Sequence, residues 1–138
     1  MTRTLDLQNL SLDHIARHIA EYVAVSADVS PWTAENFLRD APRKWELSFA
    51  LWDDKPLAYC ILSQRGDAIH INQLMVSKDA RGRGIGADLL AEAERRGANS
   101  LKVDPENSGA IRFYERHGWT QATTENGYTV MRKLTGPA

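Results

Sequence analysis

The stretch that decides the fold is Ile69-His70-Ile71-Asn72-Gln73-Leu74-Met75-Val76, followed at once by Ser77-Lys78-Asp79-Ala80-Arg81-Gly82-Arg83-Gly84-Ile85-Gly86-Ala87. The first eight residues have the apolar, β-branched character of a strand. From about Gly84 to Arg96 the pattern turns helical, with Ile85, Leu89, Leu90 and Ala93 recurring on one face. Strand, glycine-rich loop and helix together form an arrangement that binds phosphate. Glycines let backbone N–H groups approach an anion, and the helix start adds free donors and partial positive charge. Arg81 and Arg83 sit where a helix dipole disfavours cations, so helix stability does not account for them. An incoming anion does.

Working outward, Trp45 to Leu51 and Pro56 to Ser63 read as strands joined by the turn Trp52-Asp53-Asp54-Lys55. Arg65-Gly66-Asp67 supplies another turn, which makes Ile69 to Val76 the third strand of an antiparallel meander. After the helix, Ser100 to Asp104 is a short strand ended by Pro105, and it should lie parallel to the strand before the helix. A helix with Ile111, Phe113 and Tyr114 follows, stopped by Gly118. Trp119 to Thr123 and Tyr128 to Leu134 then form a hairpin around Asn126-Gly127.

On the N-terminal side a short strand is expected around Thr4 to Leu7. Ser11 can cap a helix running to about Val25, with Leu12, Ile15, Ile19, Tyr22 and Val23 on its apolar stripe. Ser30-Pro31 then opens a second helix through Phe37 and Leu38. The expected fold class is α/β, in the α+β sense: a mixed, mostly antiparallel sheet flanked by about four helices. One domain over 1–134 and a loose tail over 135–138 are expected.

The 138 residues suffice for one core without disulfides, and the formal net charge of -1 argues against a broad basic nucleic-acid face. No apolar run approaches the length of a membrane span, and Met1 to Asp6 lacks the apolar core of a signal peptide, so a cytoplasmic location is expected. Cys60, the single cysteine, lies in an apolar run and reads as a buried structural thiol. His14 and His18 have a metal-compatible spacing but no third ligand nearby, and no metal is expected.

With these residues in place, the chain resembles the GNAT N-acetyltransferases, which transfer an acyl group from acyl-coenzyme A to an amine. Arg81-Gly82-Arg83-Gly84-Ile85-Gly86 fits that family's pyrophosphate loop, Arg/Gln-x-x-Gly-x-Gly/Ala. Asn107-Ser108-Gly109-Ala110-Ile111-Arg112-Phe113-Tyr114-Glu115-Arg116-His117-Gly118-Trp119 is similar to its Asn-x-x-Ala-x-x-x-Tyr-x-x-x-Gly-Phe segment. A rival exists, because Gly82 to Ala87 also satisfies the dinucleotide fingerprint, with Asp104 about 20 residues on. Ser77-Lys78-Asp79-Ala80 intervene between the strand and the loop, a meander precedes the loop, and too little chain follows for further βαβ units.

The resemblance implies the GNAT fold, with splayed strands at the coenzyme A site, and acetyl-CoA as co-substrate. Backbone groups of Gly82, Gly84, Ile85 and Gly86, with charge from Arg81 and Arg83, would hold the pyrophosphate. The opened edge at Leu74, Met75 and Val76 would pair with the pantetheine arm, with the Val76 N–H toward the thioester oxygen. Asn107 would contact the arm or orient water while also serving as a helix cap. Tyr114 occupies the position of the acid that protonates the leaving thiolate. A phenol, with a pKa of about 10, holds its proton at neutral pH. The strand before the loop lacks the carboxylate many members carry there. His70 falls at that place as a candidate base, with a water chain through Asn72 and Gln73 as the alternative.

Acceptor contacts are implied around Ala27 to Trp32 and Glu125 to Tyr128, with Asp28, Glu35, Asp53 and Asp54 as carboxylates available to a cationic amine. The acceptor is a small-molecule amine or a protein amine, no nucleic-acid or membrane partner is expected, and a homodimer stays open. A non-catalytic acyl-CoA sensor of the same fold is the alternative function, and a dinucleotide-binding oxidoreductase the minor one.

Overall fold

The computed structural model describes residues 7–133. Thr4 to Asp6 of the expected first strand, and the expected tail over 135–138, lie outside them. The elements run β1 (Leu7–Asn9), α1 (Leu12–Arg17), α2 (Ile19–Ser26), α3 (Ala34–Leu38), α4 (Lys44–Leu47), β2 (Phe49–Trp52), β3 (Pro56–Arg65) and β4 (Ala68–Val76). A 3-10 turn (Lys78–Ala80), α5 (Ile85–Arg95), β5 (Ala98–Val103), α6 (Ser108–Arg116), β6 (Trp119–Glu125) and β7 (Tyr128–Lys133) follow. Among the described residues seven strands form one sheet in the order β1-β2-β3-β4-β5-β7-β6, parallel only between β4 and β5.

Alternation along β3 splits the core between the two faces of the sheet. Ala58, Cys60 and Leu62 point to the face covered by α5, where Ile85, Leu89, Leu90 and Ala93 are buried as their spacing requires. Tyr59 and Ile61 point the other way, into a cluster with Ile15, Tyr22 and Phe37 under α1, α2 and α3. Each fully buried leucine contributes about 1.5–3 kcal/mol of apolar burial. Burial also pushes the Cys60 thiol up, as befits a structural cysteine.

In β4 the pairing with β3 slips by one residue: Ile61 faces Gln73 and Leu62 faces Ile71, which leaves Asn72 as an unpaired extra residue. On its other side β4 pairs with β5 only from Ile69↔Ala98 to Ile71↔Leu101. Beyond the bulge the two strands part, while β5 goes on pairing with β7 at Lys102 and Val103. The bulge thus ends the parallel ladder at mid-strand and opens a wedge in the sheet.

Among the described residues the helices number six against about four expected, for two local reasons. The first helix breaks at His18 (φ -119, ψ 26). The rings of His14 and His18 both lie against Trp52, at 5.2 and 4.8 Å. The start of the expected strand at Trp45 is instead α4. There the Lys44 ammonium, on a residue only 2% exposed, donates to the carbonyls of Asn36, Phe37 and Arg39 at 3.3, 2.7 and 2.5 Å. It satisfies the open C-terminal end of α3.

Candidate active site

The loop between β4 and α5 is built for close approach. Gly82 and Gly84 have φ of 79 and 78, a region glycine enters without strain, and no heavy atom would meet a Cβ built at either. Among the described residues, none of the N–H groups from Gly82 to Gly86 has a protein acceptor. Gly86 packs instead, with its Cβ direction 3.7 Å from Phe113. The result is a concave row of free donors at a helix start, matched in chemistry to a phosphate or pyrophosphate.

The arginines behave differently from one another. Arg81 turns back onto the fold: its guanidinium donates to both carboxylate oxygens of Asp28 at 2.7 and 2.9 Å, and its Nε to the Val76 carbonyl at 3.0 Å. That pairing holds the Asp28 carboxyl below the usual carboxylate range. Arg83 donates one bond, to the Asp79 carbonyl at 3.1 Å, from an exposed position.

The wedge between β4 and β5 forms a cleft of about 650 Å³. Its two sides follow from strand alternation and the Asn72 bulge. Ile71, Leu74 and Val76, with Leu101 and Val103, belong to the core on the α5 face, and Tyr114, Ala110 and Asn107 line the cleft from α6 and its cap. His70, Gln73 and Met75, with Lys102, line it from the opposite face together with Val29, Ser30, Trp32 and Tyr128. Ser77 N–H bonds to Leu57 of β3 at 2.7 Å. Successive strand peptides alternate, so the Val76 N–H points away from β3, toward the open gap.

Tyr114 is packed edge-on to Phe113, with ring centroids 5.2 Å apart, and burial raises its phenol above the ordinary value. It is a proton donor that stays protonated. The Asn107 side chain caps α6, accepting from Ala110 N–H at 3.1 Å, and also lines the cleft, so both of its expected placements hold. His70 is 4% exposed, with Nδ1 3.2 Å from Ser100 Oγ. Burial, reinforced by Arg65 and Lys102, pulls its pKa down to about 4. It is an uncharged imidazole at neutral pH and a weak base.

Gln73 does more than line the wall. Its Oε1 accepts from the buried Tyr59 hydroxyl, and its Nε2 donates to the Ser30 carbonyl at 2.8 Å. With Arg81 on Asp28, this ties the segment between α2 and α3 to the active strand at two points. Sequence reading missed both ties, since the partners are 43 and 53 residues apart. Trp32 is at once core and wall, its ring 5.1 Å from Phe37 while it lines the cleft. Of the acidic residues considered for an amine, Asp28 is engaged by Arg81 and Glu35 by Arg39 at 3.0 Å, and none of Asp28, Glu35, Asp53 and Asp54 lines the cleft.

Comparison with known proteins bears on this arrangement directly. Residues 11–119 match the family model described as the acetyltransferase (GNAT) family. An uncharacterized N-acetyltransferase of Methanocaldococcus jannaschii is 36% identical over 76 residues, which are 51% of this chain and 34% of that protein. The chain therefore spans about a third of that relative. The ribosomal protein bS18 alanine N-acetyltransferase of Escherichia coli is 28% identical over 116 residues, 79% of this chain and 78% of the relative. The crystal structure of the Escherichia coli S18-alanine enzyme matches with a TM-score of 0.71 and 24% identity, over 96% of this chain and 97% of that one. A PaiA N-acetyltransferase from Thermoplasma acidophilum, crystallised with coenzyme A, matches with a TM-score of 0.71 and 17% identity, over 96% and 100%. At those identities the two structures speak to the fold.

Proposed function

Because this chain belongs to the acetyltransferase (GNAT) family, we propose that it transfers the acetyl group of acetyl-CoA to a primary amine by direct attack within the β4/β5 cleft. The observation that carries this is the coincidence of two features. A row of unpartnered N–H groups sits at the start of α5, and the sheet opens beside it only past the Asn72 bulge. A dinucleotide site needs the first feature and has no use for the second. Acetyl-CoA as co-substrate supplies an activated acyl carbon on a thiol leaving group.

In this reading the loop N–H groups of Gly82 to Gly86 bind the pyrophosphate, with Arg83 adding charge from the rim. Arg81 acts on the protein itself, through Asp28 and the Val76 carbonyl. The Val76 N–H, aimed into the gap, stabilises negative charge on the carbonyl oxygen as the amine attacks. An N–C bond forms and the C–S bond breaks. The amine gives up its proton to solvent, and the Tyr114 hydroxyl delivers one to the sulfur and is reprotonated from water. His70, uncharged, accepts a hydrogen bond from the amine on the opposite face of the cleft. With a pKa of about 4 it is too weak to be the main proton sink, so the amine loses its proton to water. A cytoplasmic setting is part of this proposal.

Thiol release from acetyl-CoA over a panel of amines tests the proposal. Tyr114→Phe should lower kcat about 100-fold with little change in acetyl-CoA affinity. Unchanged turnover in Tyr114→Phe would remove it as the acid, and tight acetyl-CoA binding without turnover on any amine would favour the sensor reading.

A further inference from the structure

Two cations, Arg65 and Lys102, line the acceptor face of the cleft. Arg65 lines it from the end of β3, and its guanidinium has no hydrogen bond or ion pair among the described residues. Lys102 projects from the same face as His70, because its neighbours Leu101 and Val103 are turned into the core under α5. Its ammonium meets Glu125 at 2.8 Å, a carboxylate 55% exposed at the rim that an incoming anion can replace. Among the described residues Asp104 is the only carboxylate lining the cleft, and its Oδ1 is already occupied by the Glu106 N–H at 2.9 Å. Burial is the main cause of the depressed pKa of His70, and beside it Arg65, Lys102 and Arg132 oppose its protonation while Glu125 favours it.

A site for polyamines or other polycations has carboxylates at its wall. This one has an unpaired guanidinium and a partly neutralised ammonium flanking the buried imidazole. We propose that the acceptor is an amine that also carries an oxyanion, a carboxylate or a phosphate, bound by Arg65 and Lys102 so that its amine points past His70 toward the gap beside Val76. This rests on the acetyl-transfer reading of the same cleft and narrows its substrate class. Arg65 provides the fork that matches an oxyanion at two points, and Lys102 a point charge beside it.

The test titrates CoA-saturated protein with matched pairs: a panel of α- and ω-amino acids against their amides, and O-phosphoethanolamine against ethanolamine. Binding is read by calorimetry and acetylation by thiol release. At least one anionic member should bind roughly tenfold or more tightly than its neutral partner, and which pair shows the larger gap separates carboxylate from phosphate. Arg65→Gln and Lys102→Met should each shrink that gap through KM rather than kcat, while Arg17→Gln, a loss of charge on exposed α1, leaves it intact. Absence of any gap, including no binding by any member, or a gap that survives in both Arg65→Gln and Lys102→Met, overturns the proposal. Acetyl-CoA binding measured alone keeps the two readings apart: its loss in the wild type sinks the donor site, while its presence without an anion preference sinks only the oxyanion site.

Discussion

His70 shows how one side chain carries both a sequence signal and a structural qualification of it. Its position on the strand before the loop marks it as a candidate base, and the structure places it in the cleft. Burial beside Ser100, with Arg65 and Lys102 nearby, costs it basicity. The consequence for stability has a definite sign. Unfolded, its pKa is about 6.5; folded, it is about 4, so between those values the unfolded chain binds the extra proton. Its contribution is therefore fully present above pH 6.5 and is lost as pH falls toward 4, by up to about 3 kcal/mol. His14, lowered mainly by burial, adds in the same direction. Urea unfolding at pH 7 and pH 4.5 should show the fall, and His70→Gln should flatten it. An unchanged acid limb in His70→Gln would mean that the imidazole titrates as it does in water.

At the level of elements, the segment between α2 and α3 is held by specific ties as well as by the packing of Trp32 on Phe37. Ser26 Oγ accepts from Trp32 N–H at 3.1 Å, Gln73 holds the Ser30 carbonyl, and Arg81 holds Asp28. These ties also explain where α3 starts. Ser30-Pro31 offers a cap and a first-turn proline, but residues 30–33 are bound in a non-helical course. Thr33 then caps α3 with a capping box to Asn36 three residues later than expected. Since Arg81 stands next to the phosphate loop and Asp28 next to the acceptor wall, their pairing links the two ends of the reaction cleft. Asp28→Asn should raise the acceptor KM several-fold and leave acetyl-CoA affinity equal or better, as Arg81 becomes free to meet the pyrophosphate. Steady-state kinetics varying each substrate separately would show it. An unchanged acceptor KM would make the ion pair merely a surface contact.

Over the whole molecule, what could be read from the chain was what local periodicity and glycine placement encode. The Asn126-Gly127 turn appears as expected, with φ of 50 and 84 and Glu125 paired with Tyr128. The inward face of α5 and the parallel β4/β5 pair also appear as read. What could not be read depends on contacts across the fold. The α4 turn exists because the Lys44 ammonium closes α3, the N-terminal helix breaks where two histidines meet Trp52, and the Asn72 bulge shows only once β3 and β4 are paired. The same division holds in the site: the loop and Tyr114 were visible as motifs, whereas the charge pattern of Arg65 and Lys102 needed the strand faces to be known. Leu89, fully buried between α5 and the sheet, supports the surface from which the loop departs. Leu89→Ala should cost about 2–5 kcal/mol in denaturant unfolding.

The central claim is that the backbone of Gly82 to Gly86 receives the phosphates of acetyl-CoA, and Gly84 offers the most direct test. Aspartate and asparagine both tolerate its left-handed backbone, and both project into open space, but only aspartate brings a charge that repels phosphate. Calorimetric titration of the wild type, Gly84→Asn and Gly84→Asp with acetyl-CoA should show saturable binding by the wild type, weaker binding by Gly84→Asn and a loss of about 100-fold or more in Gly84→Asp, with all three folded. Equal affinity in Gly84→Asp and the wild type, or no binding by the wild type, would contradict it.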